Sequence, residues 1–161
     1  MNSEDRFSHY VKHGWCPVPW AHHPEPVKEL IRAIGFRPQL KGCFYNSQLL
    51  FIENERRSFG LDLEYREGWV HAIIPFEHAW LTYKGELLDL TLAPDREVPP
   101  TYLKSIGYSY EDVTNNMFET GCYTSVTSAK DFYDIGPWKE GFEALDALQD
   151  EDQDRGPSEG T

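Results

Sequence analysis

Two alternating runs joined by a two-residue turn constrain the fold more than anything else in this chain. Phe76-Glu77-His78-Ala79-Trp80-Leu81-Thr82-Tyr83 puts Phe76, His78, Trp80 and Thr82 on one face of a strand. Lys84-Gly85 supplies the turn, and Glu86-Leu87-Leu88-Asp89-Leu90-Thr91 runs back. A hairpin closed tightly on that turn pairs residues whose numbers sum to about 169. His78 then faces the neighbourhood of Thr91, with Asp89 one diagonal step away and within cross-strand reach. A carboxylate placed there can fix the tautomer of an imidazole.

Upstream, Leu61-Asp62-Leu63-Glu64-Tyr65-Arg66-Glu67 alternates as an antiparallel strand with one wet face. Gly68 breaks the pattern before Trp69-Val70-His71-Ala72-Ile73-Ile74, which Pro75 ends, and it marks a bulge where a substrate or a helix comes close. Strands over 61–74, 76–83 and 86–92 form an antiparallel meander. Before them, Cys43 opens a segment whose Ser47-Gln48-Leu49-Leu50-Phe51-Ile52-Glu53 reads as a buried helix, and Pro38 and Gly42 suit the reversal ahead of its start. A thiol in a first helical turn lies beside unpaired N–H groups and the positive end of the helix dipole, which favour the nucleophilic thiolate. Cys43 as nucleophile, His78 as base and Asp89 as orienter make a triad. The expected fold is α+β, an antiparallel sheet with the nucleophile-bearing helix packed on one face.

These islands, Cys43-Phe44-Tyr45-Asn46, Glu67-Gly68, His78-Ala79-Trp80 and Asp89-Leu90-Thr91, resemble the signature of the transglutaminase-like core of the papain-like cysteine-enzyme superfamily. The resemblance covers about fifty residues, Gly42 to Thr91, and is closest to small bacterial and phage-type proteins; many relatives carry proline where this chain has Leu90. That superfamily includes cysteine peptidases, acyl transferases, deamidases and amide hydrolases. The resemblance implies thiol-dependent acyl transfer without a cofactor, on a protein or peptide-like substrate carrying an amide or ester. It nominates the same triad and adds Asn46, Glu67 and Trp80 as supporting residues. Gln39 lies where related enzymes draw an oxyanion donor to complement the Cys43 backbone N–H, although a solvated loop residue is the simpler reading of it. Trp69, Trp80 and Tyr45 are candidates for the cleft wall.

The net charge of −12 argues against nucleic-acid and anionic-membrane partners, since phosphate contact needs basic patches. No stretch reaches the length of a membrane span, and the N-terminus has no apolar signal region. The three cysteines, Cys16, Cys43 and Cys122, are an odd set unsuited to a disulfide framework; the expectation is a reduced, cytoplasmic protein of undetermined oligomeric state. His13, Cys16, His22 and His23 match no zinc spacing, so no metal site is expected and the proline-rich segment over 13–26 reads as an ordered loop.

A short turn is expected over 1–12. Val27, Leu30, Ile31 and Ile34 form a helical stripe between Pro26 and Gly35. Glu53 to Arg57 reads as a solvated helix end, and Thr101 to Tyr110 as a further strand at the sheet edge. Ser109 and Asp112 predict a capped helix closed by Gly121, and Cys122 reads as a packed, inert thiol. Helices are expected over 128–134 and 138–148, then an acidic disordered tail over 149–161, leaving one domain over 1–148. The competing reading is a catalytically silent relative that works by contact, as an inhibitor or interaction module.

Overall fold

The alternating hairpin forms as its pattern demands. The computed structural model describes residues 20–93 and 99–139. Among these, β1 (Leu63–His71), β2 (Pro75–Tyr83), β3 (Glu86–Leu88) and β4 (Thr101–Tyr108) form one antiparallel sheet in the order β3-β2-β1-β4. β2 and β3 pair as Leu81 with Leu88, Thr82 with Leu87 and Tyr83 with Glu86, each pair summing to 169. Lys84 and Gly85 both take positive φ, 52° and 78°, the twist a two-residue hairpin turn requires. β4 joins the free side of β1 and is a sheet edge.

Two strand boundaries differ from expectation. β3 stops at Leu88 rather than 92, because Asp89 bends its own chain. Its Oδ1 accepts from the Thr91 N–H at 2.7 Å and the Leu92 N–H at 3.0 Å, so side chain replaces ladder as the backbone's partner. β1 ends at His71, and Ile73 and Ile74 stand 79% and 68% exposed in the turn before β2. Gly68 does not interrupt β1. The irregularity lies on the β4 side, where the register shifts between Gly68 and Val70. A Cβ on Gly68 would sit 2.3 Å from the Lys104 carbonyl oxygen and 2.7 Å from Ser105 Cα. What comes close to Gly68 is the backbone of β4, not a helix or a substrate.

Four α-helices complete the described fold: α1 (Glu25–Ile34), α2 (Cys43–Arg56), α3 (Tyr110–Thr120) and α4 (Ala129–Ile135). The protein is α+β. α1 carries Pro26 in its first turn, ends on Gly35 at φ 69°, and buries Val27, Leu30 and Ile31. Ser109 and Asp112 close a reciprocal capping box on α3, and Gly121 ends it in the left-handed conformation. Ser128 caps α4, and the Trp69 indole N–H donates to the Phe132 carbonyl at 2.8 Å, tying α4 to β1.

α2 is buried almost all round, and its polar residues are stitches to other elements. Ser47 Oγ donates to the Ala79 carbonyl, Gln48 Nε2 to the Tyr65 hydroxyl and the Thr124 carbonyl, and Asn54 exchanges hydrogen bonds with the Leu61 backbone. Such partners are what a buried polar group needs to avoid a desolvation cost of about 1–3 kcal/mol. The end of α2 is accordingly less solvated than its charge suggests: Glu53 and Asn54 are buried, with Glu53 bridging Arg56 and Arg57. Leu30, Leu50, Tyr65, Leu81 and Leu90 are wholly buried in the core between α1, α2 and the sheet, each leucine contributing roughly 1.5–3 kcal/mol of apolar burial.

The turn expected over 1–12, the loop residues before Trp20, the helix beyond Lys139 and the acidic tail lie outside the described residues. No helix among the described residues is long and apolar enough to cross a membrane.

Candidate functional site

Cys43 is the first residue of α2, after Gly42 as N-cap, and is half-buried as a free thiol. Asn46, one turn on, holds the approach to it. Its Oδ1 accepts from the Gln39 N–H at 2.7 Å, while its Nδ2 donates to the Gln39 carbonyl at 2.8 Å and to Thr91 Oγ1 at 2.9 Å. One amide thus binds the loop entering the cysteine turn to the segment leaving Asp89. Both Nδ2 hydrogens of Asn46 are committed to these bonds, which leaves it no donor for a substrate. The fit is tight: a Cβ on Gly42 would lie 3.1 Å from Gln39 Cβ. The Gln39 side chain is exposed beside this turn.

His78 and Asp89 meet deep in the fold, 2% and 9% exposed. His78 Nε2 donates to Asp89 Oδ2 at 2.7 Å. Burial by itself lowers the basicity of this imidazole. The hydrogen bond to Asp89, the neighbouring Cys43 side chain and the charges of both outweigh that penalty and raise its pKa from 6.5 to about 9. Since Asp89 occupies Nε2, Nδ1 is the nitrogen left for the thiol. The charge of Cys43 is also felt at Tyr65, after larger effects of burial and Glu67 that raise the phenol pKa. The thiol, imidazole and carboxylate therefore stand in sequence where β3 has ended and the chain at 89–91 has turned out of the ladder.

A fourth member was not read from the sequence. Tyr102 on β4 donates its hydroxyl to Asp89 Oδ2 at 2.5 Å, the same oxygen that takes His78. With the Thr91 and Leu92 amides on Oδ1, the carboxylate accepts from four donors. Tyr102 pairs with Val70 of β1, just past the register shift that follows Gly68. Its ring packs edge-on against Trp80 at 5.0 Å, and Trp80 stacks against His78 at 6.1 Å with an interplanar angle of 23°. Trp80 is 3% exposed, so it is a buried support for the imidazole rather than an open cleft wall.

Glu67 is placed elsewhere. Fully buried on β1, it accepts from the Tyr65 hydroxyl, Ser125 Oγ and the Val126 and Thr127 amides at 2.6–2.8 Å, anchoring the segment between α3 and α4 to the sheet. Trp69 is committed to α4, and Tyr45 packs against Phe36 and Tyr123; neither is placed against His78. Cys122 is exposed in the turn after α3, not packed as expected. His71 lies exposed at the end of β1. A cavity of about 190 Å³ lies on another side of Asp89, lined by His23, Leu88, Leu92, Pro100 and Tyr102 among others but not by Cys43 or His78. Burial, then His22 and Lys28, lower the His23 pKa to about 4 against the opposing pull of Asp89, so it is neutral at pH 7. No group of three or more metal-ligating side chains occurs among the described residues, and His13 and Cys16 lie outside them.

No family model matches the chain, and no solved structure matches it.

Proposed function

We propose that the protein is a thiol-dependent acyl-transfer enzyme of transglutaminase-like, papain-like type, with Cys43 as nucleophile, His78 as its proton partner and Asp89 as orienter. The observation that supports this reading is the setting of His78, bonded through Nε2 to Asp89 and near enough to the Cys43 side chain for that group to raise its pKa. The attacking form of a cysteine is its thiolate, and beside it an imidazole that keeps its proton up to about pH 9 has that proton ready for a leaving group.

In the forward step Cys43 Sγ attacks the carbonyl carbon of an amide or ester and the C=O π electrons move to oxygen. The Cys43 backbone N–H, at the start of α2, and the Gln39 side chain beside it are the donors suited to that oxyanion. Collapse breaks the C–N or C–O bond, the leaving group takes the His78 proton, and a thioester remains on Cys43. Water or an amine then gives its proton to His78 and attacks the thioester, releasing the acyl group and restoring the thiolate. Hydrolysis, deamidation and transamidation differ only in the second nucleophile. The substrate class that suits this chemistry is a protein or peptide-like amide or ester.

The test is covalent trapping. The protein is incubated with a panel of activated acyl esters and quenched in acid, and intact and peptide masses are read. The expected result is one acyl group on Cys43, absent in Cys43→Ala and strongly reduced in His78→Gln. Acylation spread over Cys122 and surface lysines, with Cys43 unmodified, removes acyl transfer and leaves the scaffold as a binding module.

A further inference from the structure

We propose that Tyr102 is a positioning residue for the Cys43–His78 pair: its hydroxyl holds Asp89 Oδ2 from β4 and limits how much of that oxygen's charge the imidazole receives. This rests on the acyl-transfer reading for its catalytic meaning, but its physical content is separate from turnover. The geometry is specific. Oδ2 is shared between His78 Nε2 at 2.7 Å and the Tyr102 hydroxyl at 2.5 Å, while Oδ1 is already bound to the Thr91 and Leu92 amides. Two donors on one oxygen compete for its electron density, so strengthening either weakens the other.

The groups that face the imidazole or its carboxylate are few among the described residues. Cys43 approaches from α2, Asp89 from the turn after β3 and Tyr102 from β4; His23, ahead of α1, feels the charge of Asp89 but is itself neutral at pH 7. Phe76 and Trp80 add only ring contacts at 5.8 and 6.1 Å. Within this set Tyr102 is the neutral donor whose strength can be altered without changing any charge. Left alone with His78, Asp89 would hold the imidazolium more firmly, and a more firmly held proton is passed less readily to an amine leaving group. An ester leaving group needs that proton less. Loss of the hydroxyl should therefore slow amide cleavage more than ester cleavage.

Two variants with opposite expectations provide the test. In Tyr102→Phe the hydroxyl is gone, and the His78 C2–H resonance, followed by NMR against pH, should titrate about half a unit to one unit higher than in the wild type. In Tyr102→3-fluorotyrosine the phenol is a stronger donor of nearly unchanged size, and the midpoint should move down. A residue that merely fills space would move both midpoints the same way or neither, and either outcome overturns the proposal. The fluorinated variant differs by one small atom and keeps the test decisive even where Tyr102→Phe folds poorly. Opposite shifts without any acyl adduct on Cys43 would retire acyl transfer and leave the Tyr102 assignment standing. An adduct without opposite shifts would do the reverse.

Discussion

Replacing Asp89 by asparagine should remove a pH-dependent part of the folding free energy whose size follows from one raised pKa. In the folded protein His78 titrates at about 9 against 6.5 for an unperturbed imidazole. A gap of about 2.5 units, at 1.36 kcal/mol per unit, places on the order of 3 kcal/mol on the bound proton. Because the folded value lies above the unfolded one, this stabilisation is complete below pH 6.5 and is lost as pH rises through about 9. In Asp89→Asn the side-chain amide would keep an oxygen for the Thr91 and Leu92 N–H groups but present its NH2 group toward His78. Burial would then dominate and push the imidazole down. The assay is urea unfolding of both proteins by tryptophan fluorescence from pH 6 to pH 10. Groups common to the two cancel in the difference, and ~3 kcal/mol is a large share of the 5–15 kcal/mol typical of a domain. The stability gap should be widest near pH 6 and should shrink by about that amount by pH 10. A gap that stays level across this range would refute the claim that Asp89 holds His78 protonated.

Glu67→Ala should destabilise by about 3–5 kcal/mol, since it strands the Val126 and Thr127 amides and the Tyr65 hydroxyl without their acceptor, leaving the Ser125 hydroxyl only the Thr127 carbonyl, whereas Glu67→Gln should cost less; thermal melts measure both. Gly68→Ala should loosen β4, because its Cβ would meet Lys104 and Ser105 inside contact distance, and hydrogen exchange should show amides of Thr101–Tyr108 losing protection ahead of those in β2. Asn46→Ala should cost roughly 1–3 kcal/mol and slow Cys43 alkylation as well, because the same amide holds the loop at Gln39 and the Thr91 segment.

The parts of this fold that can be read from the chain are those governed by neighbours in sequence. The hairpin register is one, because Lys84-Gly85 and the alternation on each side determine it together. The caps of α3 and the stripe of α1 are others. Asp89 was legible as a diagonal neighbour of His78, but not as the residue that ends β3; a continuing strand and a side-chain turn have the same local composition. Gly68 was legible as a close approach, but its partner was not, since β4 arrives after a long connection. Tyr102 carried no local signal of any kind: an alternating strand identifies a tyrosine's face only once its neighbour is known. Glu67 and Asn46 were legible as candidate supporting residues, but their partners were not: Asn46 ties the Gln39 loop to Thr91, whereas Glu67 anchors the segment between α3 and α4.

The most direct measurement of the central claim is the rate at which iodoacetamide modifies each cysteine, resolved by peptide mass spectrometry at neutral pH. By exposure alone Cys122 should react ahead of Cys43, since it is exposed and Cys43 is half-buried. A thiolate held against imidazolium should reverse that order, with Cys43 faster by on the order of tenfold, and His78→Gln should abolish the advantage. Labelling that follows exposure, or a Cys43 rate indifferent to His78, would contradict the proposed pair.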